Sequence, residues 1–478
     1  MRRSATFFAA VSIALPALST DAFAHALAQR YDLPLPLSYF LAAAGAAVAV
    51  SFVILALFLR YDGERTQAVN YTIVRGTIPQ PIVASLQILV VAALVLIVAA
   101  GLFGDQRTFK NIAPVSVWVI WWVGLGILSA FVGNIWVLIN PWSTVFGVAE
   151  ALTRPSAKRL LPRVPYPRWL GAWPACALFL LFAWLELVAP DRDVPRNVAA
   201  AVLIYSGLTW AGFVIFGRDV WLKNGEVFSV VFGLIGRFAP LEFTHEEHWR
   251  VGLRPPAAGL LTRVPLDLPM TAFVLLMLGT VTIDGLMETP LWATVVEWFL
   301  AGRGSVDANP AVYAALQTVL LIAGPLLLAG LYLAVIATMA RISRSNIADL
   351  GGMFVLSLVP IAIAYHIAHY FSLLMVAGQF IIPLVSDPFG YGWDLFDTML
   401  YRIDIGIVDA KFVWYLSVIA IVTGHIVAVW VGHVTAYALF RDASIARRSQ
   451  YPMLVLMVAY TMLSLWILAQ PIVEPGAK

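Results

Sequence analysis

Four of the seven histidines in this chain fall in two consecutive apolar runs: His366 and His369 in AYHIAHYFS, and His425 and His433 in GHIVAVWVGHVTAYALF. At about 100° per residue, a separation of three puts side chains about 60° apart and a separation of eight about 80° apart, so each pair shares one helix face. Consecutive crossings run antiparallel, which brings His366, His369 and His425 to comparable depth and sets His433 about 12 Å further along its helix. An ionisable side chain in hydrocarbon is costly and normally faces the bundle interior with a partner. Clustered imidazoles are the commonest nitrogen environment for zinc and related metals, so the spacing points to metal binding. Two alternatives stand beside it: a proton relay, or neutral histidines bonded between helices with Tyr365, Tyr370 or Gln379 as partners.

A carboxylate would complete a catalytic site. Asp284, in TVTIDGLMETPLW, is followed by Gly285 and then Pro290, so a helix break there is expected to carry its side chain into a cavity. It would serve as a ligand or as a base for metal-bound water; the competing reading is an aspartate at a helix end facing water. His25 offers a further metal site, because a free amino terminus and its imidazole chelate copper as a pair. That requires processing after Ala24, and the opening MRRSATFFAAVSIALPALSTDAFA has the arginines, apolar core and small-x-small ending of a cleaved signal peptide over residues 1–24.

The elements that must position these residues are legible in composition. Of 478 residues, 61% are hydrophobic and 12% charged, with mean hydropathy +0.86, which excludes a soluble domain and implies a lipid bilayer as the chain's partner. Ten runs near the length needed to cross hydrocarbon are expected after the signal, at 37–59, 80–103, 115–138, 169–189, 198–217, 268–288, 311–340, 350–385, 412–440 and 451–472. The fold class is therefore all-α, a polytopic membrane helix bundle forming a single domain over 25–478. The loop segment EVFSVVFGLIGRFAPLEF reads as an interfacial helix. HEEHW, at His245–Trp249, lacks the HExxH spacing of zinc proteases and reads as a solvated loop.

Every second loop is basic: Arg60, Arg65 and Arg75; Arg154 to Arg168; Arg218 to Arg263; Arg341 and Arg344; Arg441, Arg447 and Arg448. The positive-inside rule then puts both mature termini on the outside. The acid-rich run from Asp387 to Asp409 lies on that side. A single cysteine, Cys176, excludes an intrachain disulfide and leaves any metal, zinc or copper, to nitrogen and oxygen ligands. No basic stripe with interleaved aromatics points to nucleic acid, and no Walker loop, dinucleotide fingerprint or Gly-x-Ser-x-Gly elbow is present.

HALAQRYDLPLPLSYF, INPWSTVF, TIDGLMETPLW, AHYFSLLMVAGQ, SDPFGYGWDLF and TGHIVAVWVGH resemble, in order, segments of a bacterial membrane family labelled fenitrothion hydrolase. The resemblance spans residue 25 to about 440. It implies a membrane-bound organophosphate hydrolase cleaving a P–O aryl ester, and by motif it carries over to His25, Asp284, His366, His369, His425 and His433. On that reading His366, His369 and His425 hold a divalent transition metal, His433 is a fourth ligand or supports the others, and Asp284 positions the water. A lipophilic small molecule would enter sideways from the bilayer. Two other classes remain open: a transporter of a metal ion or small solute whose midplane histidines bind cargo or protons, and a copper-handling protein using His25. A second membrane subunit is compatible with all three.

Overall fold

In hydrocarbon every backbone N–H and C=O must be satisfied within its own segment, so long apolar runs become helices. The computed structural model describes residues 31–58, 74–153, 164–302 and 304–471. The expected signal peptide and His25 lie outside the described residues. In chain order the principal helices are α1 (Leu37–Phe58), α2 (Gln80–Phe103), α3 (Ile112–Phe131), α4 (Pro141–Thr153), α5 (Trp173–Leu187), α6 (Pro195–Phe216) and α7 (Val227–Gly236). They continue as α8 (Leu268–Met287), α9 (Pro290–Leu300), α10 (Pro310–Ser343), α11 (Ile347–Ser386), α12 (Ala410–Leu439) and α13 (Ala443–Ala469). All but α4, α5, α7 and α9 are long and apolar enough to cross a membrane, nine among the described residues. The chain is an all-α polytopic bundle.

Two expectations are corrected. The run at 169–189 forms only the 15-residue α5, about 22 Å at 1.5 Å per residue and short for a crossing. The expected interfacial helix is α7, which is buried at every position except Ser229 and Gly233. A helix apolar on all sides belongs inside a bundle, and its start is held there by Glu226, itself fully buried. The Glu226 carboxylate accepts from Tyr205 Oη at 2.6 Å, Trp136 Nε1 at 3.2 Å and Asn140 Nδ2 at 3.1 Å, and caps α7 through the amides of Phe228 and Ser229.

The loops of the basic end contribute a small sheet that hydropathy did not suggest. Strands β1 (Val74–Thr77), β2 (Leu241–His245) and β3 (Trp249–Leu253) pair antiparallel in the order β1-β3-β2. HEEHW is the tip of the β2–β3 hairpin, with His245 opposite Trp249.

Helix α11 runs through the middle of the bundle, packed against α8, α12 and α3. Its approach to α12 depends on Gly424, where a Cβ would lie 2.4 Å from the Ala364 methyl and 2.8 Å from the Pro360 carbonyl oxygen. Small residues permit such close backbone approach between membrane helices. Helix α3 is unusual in being π-helical over Val115–Gly124, a geometry often found beside functional sites. Its start is anchored by buried Asn111, which accepts from the Ala113 amide at 3.0 Å and donates to the Ala100 carbonyl at 2.7 Å.

Candidate functional site

Helix α8 begins with Asp267 capping the Met270 amide at 3.0 Å and ends at Met287. Pro290 cannot continue it, and Thr289 Oγ1 instead accepts from the Trp292 amide at 3.3 Å to start α9. Asp284 therefore sits in the last turn of α8, and it lines a cavity of about 280 Å³. Thr108, Arg192, Asp193, Val408 and Pro471 surround that cavity at the end of the bundle carrying the acidic loops, and Glu186, Glu288, His369 and Tyr370 line it with Asp284.

Two consecutive residues of α11 meet the same carboxylate. His369 Nε2 is 2.9 Å from Asp284 Oδ2, and the Tyr370 hydroxyl donates to that oxygen. The side chains of His369 and Asp284 are only 8% and 13% exposed, so the pair is shielded but not sealed. An ionised carboxylate can only accept, so this contact places a proton on His369 Nε2. The helices approach closely here because residue 285 is glycine. The Tyr365 hydroxyl rests over its bare Cα, 2.4 Å from where a Cβ would stand.

The other histidines point elsewhere. His366 turns its Nε2 toward the Val123 carbonyl at 3.5 Å and sets its ring edge-on to Trp122. His425 bonds through Nδ1 to the Ile421 carbonyl of its own helix at 2.8 Å and lies against Tyr460. His433 bonds through Nδ1 to Gln450 Oε1 at 3.1 Å. The expected convergence of His366, His369 and His425 is thus corrected. Comparable depth did not bring the rings together, because the angle between His366 and His369 aims one at α3 and the other at α8, while His425 faces α13. Among the described residues no group of three or more His, Cys, Asp or Glu side chains is placed to hold a metal ion. The donors present do not fit a three-histidine centre.

Sequence reasoning missed Glu186. Its signal was available, a carboxylate inside the apolar run WLELV of α5, since ionisable residues at membrane depth mark functional sites by default. Glu186 and Tyr370 also line a second chamber of about 40 Å³, deeper in the bundle, with His366, Thr280 and Trp122. That volume has room for ordered water, and its lining offers polar partners. Asn140 in INPWS is a structural link: it holds Glu226 and, through Oδ1, caps α4 at the Ser143 amide at 3.0 Å.

The arrangement can therefore polarise and deprotonate a water: an imidazole fixed by a carboxylate, a phenol on the same oxygen, and an adjoining cavity with both apolar and charged walls. No family model matches the chain, and no curated protein or solved structure matches it either.

Proposed function

We propose that this chain is a membrane-embedded hydrolase that cleaves the P–O aryl bond of a lipophilic phosphotriester. The observation that carries the reading is the Asp284–His369–Tyr370 cluster on the wall of a cavity that opens at one end of the bundle. In the proposed reaction water attacks phosphorus, its proton passes to His369 Nδ1, the P–O aryl bond breaks, and the aryl oxide leaves to be protonated by solvent or by His369. Asp284 holds the tautomer and stabilises the imidazolium, the role a carboxylate plays behind a catalytic histidine. Arg192, on the cavity wall, supplies positive charge near the phosphoryl oxygen. An uncharged triester suits a site whose remaining lining is largely apolar. With the basic loops cytoplasmic, the cavity faces the periplasm of a bacterial inner membrane.

The test is release of nitrophenolate from a dialkyl nitrophenyl phosphate by the purified chain in detergent. Wild type is expected to turn over, and His369→Gln to lose turnover while remaining folded. Equal rates in the two would remove His369 from the chemistry.

One observation favours a second reading. The inner chamber continues the polar lining past Glu186 and Tyr370 to His366, which suits a carrier that moves protons or a small solute. Hydrolysis proceeds in detergent, whereas transport needs a sealed vesicle, so the two separate in one preparation.

A further inference from the structure

A third cavity, larger and nearly all apolar, lies on the membrane side of the same region. It measures about 880 Å³ and is formed between α2, α3, α5 and α6, with Leu94, Ile97, Leu181 and Ala201 among its walls. This is at the upper part of the ~300–1,000 Å³ range of small-molecule sites. Its polar lining includes Ser116 and Asn197, near the starts of α3 and α6 at the acidic-loop end. Trp118 lines both that cavity and the apolar cleft. Phe182 lines both the cleft and the inner chamber. The two rings are 5.7 Å apart, and Phe182 also meets Trp122 at 4.8 Å, so three aromatics form one partition between lipid-side cleft and polar site. Trp118 donates from Nε1 to the Arg192 carbonyl at 3.3 Å, in the loop at the cavity mouth. It stands on the π-helical stretch of α3, where helical packing departs from its usual register.

We propose that this cleft seats the hydrocarbon part of the substrate, and that the reactive phosphoryl head reaches Asp284 past Trp118. The inference rests on the proposed hydrolytic site and names its substrate class: a neutral ester with a long or bulky alkyl group, taken directly from the bilayer. The shared Trp118 wall favours an occupant that also reaches the acid–base cluster. The cleft shares its wall with the acid–base cluster, so a molecule with its tail among Leu94 and Leu181 and its head beyond Trp118 spans both spaces.

The experiment uses the full chain in phosphatidylcholine vesicles with two photoreactive dialkyl aryl phosphates, one bearing a diazirine on a long alkyl tail and the other on the aryl head. After photolysis, adducts are mapped by mass spectrometry. The tail probe is expected to mark Leu94, Ile97 and Leu178 saturably, and the head probe Leu373 and Val376 of the Asp284 cavity. Excess unlabelled ester should displace both, and Ala201→Trp, which projects an indole into the cleft, should weaken displaceable tail adducts. Tail adducts spread equally over lipid-facing Ile88 and Leu326, which are 70% and 67% exposed, with no displacement would overturn the proposal. So would displacement by added phospholipid in place of the ester. Displaceable labelling without turnover leaves the cleft assignment standing and removes the hydrolytic reading; turnover without cleft labelling does the reverse.

Discussion

Replacing Asp284 by asparagine is the most informative single change. The substitution is nearly isosteric, so the packing of α8 on α11 is retained while the charge is lost. In the native site one carboxylate oxygen accepts from both His369 Nε2 and the Tyr370 hydroxyl. Hydrogen bonds to a charged group contribute roughly 1.5–3 kcal/mol each, giving about 3–6 kcal/mol for the pair. At 1.36 kcal/mol per factor of ten, removing that stabilisation from the transition state, in which His369 becomes charged, corresponds to about 10²–10⁴ in kcat/KM. The assay is nitrophenolate release from a dialkyl nitrophenyl phosphate in detergent, with thermal unfolding followed on the same preparation. Tyr370→Phe removes one of the two donors and is expected to lose about tenfold, the equivalent of one such bond at the lower end. An Asp284→Asn enzyme within threefold of wild type and equally stable would refute the reasoning, because the buried pair would then have no part in the chemistry.

Three further outcomes follow from the geometry. Glu226→Ala leaves Trp136 Nε1, Asn140 Nδ2 and the Tyr205 hydroxyl without their acceptor; at roughly 1–3 kcal/mol for each buried donor stranded, the detergent-solubilised chain should unfold at markedly lower temperature, read by circular dichroism. Gly424→Ala puts a methyl 2.4 Å from Ala364 and 2.8 Å from the Pro360 carbonyl, and the forced separation of α11 from α12 should cost about 1–3 kcal/mol, whereas Gly330→Ala, with nothing within 4 Å, serves as the neutral control in the same melt. Dialysis against a chelator should leave turnover unchanged, since no three ligands converge among the described residues; loss of rate restored by one divalent ion would show that Asp284 and His369 hold a metal with help from outside that set.

Hydropathy located the crossings because lipid admits little else: the run expected at 80–103 is α2 to the residue, and that at 268–288 ends one position beyond α8. The break after Asp284 was equally visible, in Gly285 and Pro290. What periodicity does not contain is the rotation of each helix about its own axis. His366 and His369 do lie about 60° apart, yet that angle is enough to send one toward Val123 and the other to Asp284. His425 found its bond within α12 itself, a choice that spacing cannot reveal. The sheet was illegible for another reason: β1 and β3 are separated by most of the first half of the chain, and strands of four and five residues carry too little alternation to stand out. Glu186 and Glu226 were legible, as carboxylates within or beside apolar runs, where ionisable groups are costly unless partnered.

The most direct measurement of the central claim is single-turnover hydrolysis of a dialkyl nitrophenyl phosphate by the purified chain in ¹⁸O-enriched water, followed by mass spectrometry of both products. The account predicts one ¹⁸O in the dialkyl phosphate and none in the nitrophenol, with formation of both products lost in His369→Gln. Label in the nitrophenol, or no product above the uncatalysed rate, would contradict it.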